Sequence, residues 1–243
     1  MLIDDLRGMF YIMLKDLHAY YFKPPNLSWG ILLPLAFVLA FAIRDPGNLD
    51  SLVPGLLALT LLFGASSMEA IVIAFERRVG ALERLLLAPV RLPALLAGKI
   101  LGGVVFGLVT TVVVLILVLL RFDPRGVNWP LLFVAMVLSA TAFAALGALV
   151  SVAVKEVFEA QTLANLFRFP MMFLGGVFVP VAALPPVLRV VAHALPLTYT
   201  VDALTVAMAG GLWSAAWLDL AVLAGFSLAF FILATRTLAR SVG

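Results

Sequence analysis

The sequence predicts an all-α fold. It reads as a polytopic membrane protein with six transmembrane helices, an N-terminal amphipathic interfacial helix and short re-entrant helices before the last span. Three observations point there. Of 243 residues, 64% are hydrophobic and only 12% charged, where an ordinary soluble domain is roughly 45–50% apolar and ~25% charged. The apolar residues gather into six stretches close to the ~17–25 residues that cross a bilayer. Lysine and arginine fall unevenly between the connections, as the positive-inside rule demands. A mean hydropathy of +1.17 excludes a soluble enzyme, a secreted disulfide scaffold and a disordered tail, because no globule of this size could hide so much apolar surface.

Residues 1–23 do not read as a signal peptide, since Asp4, Asp5, Arg7, Lys15 and Asp16 interrupt any hydrophobic core. Leu2, Leu6, Met9, Phe10, Met13, Leu17 and Tyr20 recur at helical steps. They give one apolar face, for the membrane interface or for a soluble partner. Pro24 and Pro25 end this helix. The spans then run Leu27–Ile43, Leu52–Phe75, Leu95–Leu120, Trp129–Val154, Leu163–Val179 and Ala215–Ala234. Twelve of the 16 lysines and arginines fall on one side; Arg44, Arg121, Arg125 and Arg189 fall on the other. Both termini are therefore expected in the cytoplasm. The whole chain, 1–243, reads as a single transmembrane domain.

Cysteine is absent and the two histidines are far apart in sequence, so neither a thiolate nor a histidine-rich metal site is expected. The basic balance is explained by orientation rather than by nucleic acid. No phosphate loop is present: Gly98-Lys99 lacks the upstream glycine and the following Ser or Thr. The chain is not expected to hydrolyse ATP or to hold a cofactor of its own.

Two polar regions remain. In residues 76–92, Val79, Leu82, Leu85 and Leu86 share one helical face, and Arg77, Glu83 and Arg84 the other. Pro89 and Pro93 stop this helix. It is either a docking element for a cytoplasmic subunit or a solvated loop obeying the positive-inside rule. In residues 180–211, apolar runs too short to span are punctuated by Pro180, Pro185, Pro186 and Pro196. They are re-entrant or interfacial helices at the outer leaflet, forming either a gate or a structured cap.

Inside the spans, Glu69, Lys99 and Arg168 are costly unless paired or wetted. Glu69 is expected to face Lys99 or Arg168, as a substrate or gating contact or as a buried ion pair. Gly98, Gly102, Gly103 and Gly107 permit close helix approach, within the subunit or across a dimer.

The run from Glu76 to Pro89, with Gly98-Lys99 opening the next span, resembles the cytoplasmic coupling segment of type-two ABC exporter permeases. Pro170-Met-Met-Phe-Leu-Gly175-Gly176-Val-Phe-Val-Pro180, Leu184-Pro185 and Pro196-Leu-Thr-Tyr199-Thr-Val-Asp202-Ala-Leu204 resemble that family's C-terminal signature. One departure is Thr205, where members often carry arginine. Bacterial drug-resistance and lipo-oligosaccharide or polysaccharide export permeases are the members it is most similar to in span number and order. The resemblance implies a half-transporter. Two copies of the chain would work with two copies of a cytoplasmic ABC ATPase, in which ATP and Mg would bind. Coupling would fall to Glu76, Arg77, Arg78, Gly80, Leu82, Glu83, Arg84, Leu85 and Pro89. Gly175, Gly176, Pro180, Pro185, Pro196, Tyr199 and Asp202 would form the outer gate region. A secondary transporter or channel and a membrane assembly factor, neither needing an ATPase, are the alternative classes.

Overall fold

The computed structural model describes residues 2–23, 49–120 and 124–242, with positions 32, 36, 39 and 40. The first expected span, Leu27–Ile43, lies outside the described residues save for those four positions. Arg44 and Arg121 lie outside them too.

Helix α1 (Leu2–Asp16) passes into a single π turn, Leu17–Tyr21. Helices α2 (Leu49–Ser67) and α3 (Glu69–Arg78) are almost continuous, interrupted only at Met68. A short helix, α4 (Ala81–Leu86), leads to the long helix α5 (Leu92–Leu119). Helix α6 (Trp129–Ala153) has a capped N-terminus: the Asn128 side chain accepts from the Leu131 N–H and Pro130 occupies the first turn. Helix α7 (Val157–Leu174) opens with a reciprocal Glu156/Glu159 capping box. Helices α8 (Pro186–His193) and α9 (Pro196–Met208) each begin on proline, and α10 (Trp213–Val242) ends the described chain.

Among the described residues, four segments are long and apolar enough to cross a membrane: Leu52–Arg78, Leu92–Leu119, Trp129–Ala153 and Trp213–Ser241. The expected fifth span starts earlier, at Val157, and stops at Leu174 rather than Val179. Glu159, Gln161, Asn165 and Arg168 lower its hydropathy, so length and composition alone do not mark it as a span. It nonetheless runs antiparallel along α2–α3. Ala164 packs with Ala70, Arg168 bonds Ser66, and the Val177 backbone lies over Gly55.

Helix α6 is the hub. Alanines 140, 142, 144, 145 and 148 are all buried, and these small side chains let α2, α3, α5, α9 and α10 approach it. The glycines of α5 serve two packings within the chain. A methyl at Gly98 would meet the Met9 carbonyl of α1 at 2.8 Å, and Gly102 lies by Met13 and Asp16. A methyl at Gly107 would meet Ala65 Cβ on α2 at 2.8 Å, and one at Gly103 the Ala65 carbonyl at 2.8 Å. Helix α10 sits at the edge, with 11% of its most apolar window buried against 56–78% in the other three spans.

Helices α8 and α9 meet at 84°. Their elbow, Ala194-Leu195-Pro196, shares an apolar cleft of about 380 Å³ with Phe167, Phe226 and Phe230, which lie mid-length on α7 and α10. The far end of α9 returns to the start of α6, where the Asn128 N–H donates to the Ala207 carbonyl at 2.8 Å. The pair therefore dips into the bundle and comes back to the side it left.

Candidate functional site

The 76–92 segment does not form one helix over Glu76–Pro89. Gly80 adopts φ +68°, a left-handed conformation that glycine tolerates best. It ends α3 after Arg78 and redirects the chain into α4. This splits the expected coupling residues into two groups. Glu76 is fully buried at the base of α3, and Arg77 donates to the Val154 carbonyl (3.2 Å) and Ser241 Oγ (3.3 Å), tying α3 to the ends of α6 and α10. Beyond Gly80, Leu82 is buried and anchors α4, with Leu85 and Leu86 partly covered. Arg78, Glu83, Arg84 and Pro89 are exposed, and Leu87 stands 87% exposed. Val79, expected on the Leu82 face, is exposed because the turn at Gly80 takes it out of the α4 register.

Beside α4 lies a buried charge cluster that the sequence did not reveal. Lys99 Nζ on α5 contacts Asp16 Oδ2 at 3.1 Å and Glu76 Oε2 at 2.5 Å, all three side chains being fully buried. Lys15 joins the same two carboxylates, at 2.8 Å to Asp16 Oδ1 and by a hydrogen bond to Glu76. Two cations thus face two anions with no net charge, which is how buried ions are tolerated. Glu69 makes no direct ion pair with Lys99 or Arg168, although the Lys99 charge acts on it from nearby; it accepts a hydrogen bond from the Tyr21 hydroxyl. Burial, then the neighbouring Glu69 carboxylate, pushes that hydroxyl well above the ordinary tyrosine value. The Tyr21 ring packs on Phe106 at 5.3 Å.

This arrangement needs a shifted α1 face. Ile12, Asp16, Leu17 and Tyr21 are buried. Leu6, Phe10, Tyr11 and Leu14 are exposed, so the expected single apolar stripe divides: Leu17 of that stripe is buried against the chain while Leu6 and Phe10 stay outside. The π turn widens the helix locally, placing Leu17 and Tyr21 on the same buried side. At the other end of α1, Asp5 accepts from the Arg91 backbone N–H (3.1 Å) and contacts its guanidinium (3.5 Å). Helix α1 therefore holds both flanks of α4: Arg91 after it and Glu76 before it.

The opposite end of the bundle gathers some of the expected gate residues. A cleft of about 500 Å³ is lined by Gly55, Gly176, Pro180, Arg189, His193, Asp202 and Thr205 among others. Gly176 takes φ +83°, and Arg189 braces the 181–184 turn by donating to the carbonyls of Ala182 (2.6 Å) and Leu184 (3.2 Å). Gly175, Pro185, Pro196 and Tyr199 lie outside this cleft. Gly175 closes α7 through its N–H to Met171 (2.7 Å), the two prolines bracket α8, and Tyr199 donates to the His193 carbonyl at 2.8 Å.

The family model described as "ABC-2 type transporter" matches residues 9–209. The chain belongs to the ABC-2 type transporter family. That match takes in most of α1, the charge cluster, α4 and the α8–α9 elbow. Inner membrane transport permease YadH of Escherichia coli (strain K12) is 28% identical over 151 residues, covering 62% of this chain and 59% of the relative. The protein of the same name from Shigella flexneri matches equally. The chain thus spans about 59% of the length of the curated relatives it matches. Within this ABC-2 chain, Asp16 and Lys15 are the functional candidates that sequence reasoning missed. The available signal was a helical spacing that sets Ile12, Asp16 and the residues beyond on one side.

Proposed function

We propose that the chain is the membrane-spanning permease subunit of an ATP-driven ABC exporter in the bacterial inner membrane. It moves a hydrophobic or amphipathic substrate (a drug, a lipid or a lipid-linked glycan) out of the cytoplasm or inner leaflet by alternating access. Six spans result when the span that the sequence leads one to expect at Leu27–Ile43 is counted with α2–α3, α5, α6, α7 and α10, with both termini in the cytoplasm and α8–α9 re-entrant from outside. Two copies form the pathway, and two ATPase subunits, carrying ATP and Mg, dock beneath them. Leu6, Phe10 and Leu14, exposed on successive turns of α1, meet the interface.

The observation that supports this most is the mounting of α4 within the family-matched region. Its outer face carries Glu83, Arg84 and Leu87, free for a partner. Its inner side is joined without slack to two spans. Gly80 leads directly from α3, Leu82 anchors it in the core, and α1 clamps both flanks through Asp5–Arg91 and Asp16–Lys99–Glu76. A push on α4 is then delivered to α1, α3 and α5 as one body, which is what rigid-body switching requires. Closing of the ATPase dimer moves this unit, and the cleft beside Asp202 opens or closes at the other end.

The test is co-purification of the chain with its cytoplasmic ATPase from cells expressing both, followed by ATPase assays against a panel of lipids and drugs. A stable complex whose hydrolysis is stimulated by an amphipathic compound is expected. Absence of any bound ATPase together with transport that persists without ATP would refute the reading.

A further inference from the structure

Two buried ionisable side chains of opposite sign are left over once Lys15 and Lys99 are balanced by Asp16 and Glu76. Glu69 opens α3 and is fully buried; its Oε2 takes the Tyr21 hydroxyl and its Oε1 has no hydrogen-bond partner. Lys99, whose charge reaches it, is already held by two other carboxylates. Arg168 on α7 is 2% exposed. Its Nε donates to Ser66 Oγ at 2.9 Å and its Nη1 to Asn165 Oδ1 at 3.2 Å, both neutral oxygens, and Nη2 has no hydrogen-bond partner. A buried charge held only by neutral groups is costly, whichever its sign.

These two side chains belong to one level of the bundle. Helix α7 runs antiparallel to α2–α3, with Arg168 beside Ser66 and Ala164 beside Ala70. Glu69 falls between those levels, opposite Asn165, towards which Nη1 already extends. Around α3, Glu69 points to Tyr21 of α1 and its neighbour Ala70 to α7. The two directions differ by one residue's step, about 100°. Gly147 of α6 stands by this turn: a Cβ there would meet the Ser66 carbonyl at 2.8 Å and Glu69 Cβ at 3.1 Å, so no side chain at that position bars the way. Both ends of the Tyr21–Glu69 bond also sit on helix irregularities. Tyr21 ends the π turn, and Glu69 follows the interruption at Met68, close after Ser66, whose hydroxyl bonds back to the Leu62 carbonyl. Irregular turns of this kind recur at hinges, and back-bonding serines bend helices.

We infer that the first turn of α3 is a two-position switch: Glu69 is held by Tyr21 in this structure and passes over Gly147 to pair with Arg168 in a second state. There its two oxygens accept from Nη1 and Nη2 together. Each state leaves one group short, the guanidinium in the first and the Tyr21 hydroxyl in the second, which keeps the two close in free energy. Glu76, two turns further along α3, stays in its cluster. The switch stands between the unit that carries α4 and helix α2, whose Gly55 lines the cleft at the opposite end. It supplies the exporter proposed above with a step linking its two ends, and for that use it rests on that reading.

The test uses the full chain alone in mild detergent, so its failure is separable from failure of the exporter reading. Unfolding equilibria of Glu69→Gln, Arg168→Gln and the double variant, read by titration with sodium dodecyl sulfate, form a double-mutant cycle. The cycle is run in the wild-type chain and in Tyr21→Phe, which releases Glu69. Additive effects are expected in the wild-type chain, where the two side chains are apart. In Tyr21→Phe a coupling of about tenfold in the unfolding equilibrium is expected, because the pair then forms. Arg168→Lys should keep part of that coupling, since it keeps the charge and loses the fork. Additivity in both backgrounds would overturn the inference. So would equal coupling in both, which would mean that one state holds the pair throughout. If Tyr21→Phe does not purify as a monodisperse protein, Ser66→Ala, which frees the guanidinium from the other side, carries the same cycle with the same two outcomes.

Discussion

Removing Lys99 tests whether α1 is clamped to the spans by charge. In Lys99→Met the side chain keeps most of its apolar length and loses its cation. Asp16 and Glu76, both fully buried, are then left with Lys15, whose side chain is 38% exposed. The substitution removes the 3.1 Å pairing with Asp16 and the 2.5 Å pairing with Glu76. Stripping one partner from a buried ion pair costs roughly 3–5 kcal/mol, because the surviving charge stays out of water. Lys15 softens the penalty, so about 3 kcal/mol is expected. At ~2–4 °C per kcal/mol for a chain of this length, that is a fall in melting temperature of roughly 10 °C. The assay is thermal unfolding in mild detergent followed by size-exclusion fluorescence. A second variant separates the ion pair from side-chain packing. Lys99→Met with Glu76→Gln removes one orphaned carboxylate and should recover about half the stability, a coupling that a double-mutant cycle measures directly. A fall of under 2 °C in the single variant, or no recovery in the double one, would refute the clamp.

Other consequences follow from packing and exposure. Gly98→Val should displace α1 and cost about 1–3 kcal/mol, since even a Cβ there would sit 2.8 Å from the Met9 carbonyl; accelerated proteolysis ahead of Leu17 reads the displacement. Gly107→Val should destabilise comparably by forcing α5 off Ala65 on α2, measured as a drop in melting temperature with α1 still protected from protease. Charge reversal at Glu83 and Arg84 together should leave the stability within about 0.5 kcal/mol of wild type, since both are exposed, while abolishing association with the ATPase in pull-downs. Tyr199→Phe should lose the hydrogen bond to the His193 carbonyl, about 1 kcal/mol, and show as a small fall in melting temperature with the fold intact.

What the sequence made legible and what it concealed divide along a physical line. Apolar length placed three of the four segments that qualify as spans within a few residues of their ends, because burial of a whole helix needs only composition and length. Small-residue spacing on α5 foretold close packing, and proline spacing foretold the α8–α9 break. The polar partnerships could not be read this way. Asp16 and Lys99 lie 83 residues apart, and Arg168 and Ser66 102 apart. Their meeting depends on the rotation of each helix about its axis, which a one-residue register change such as the π turn after Asp16 alters by a large angle. Glu69 shows the consequence. Depth alone made Lys99 and Arg168 its natural partners, yet Tyr21, from a helix expected to face lipid, reaches it first. Charge in this chain is therefore sorted by helix rotation into two kinds. Where rotation brings opposite charges together, at Lys99, the result is a brace for α4. Where it brings Ser66 and Asn165, at Arg168, the guanidinium rests on neutral oxygens among the described residues.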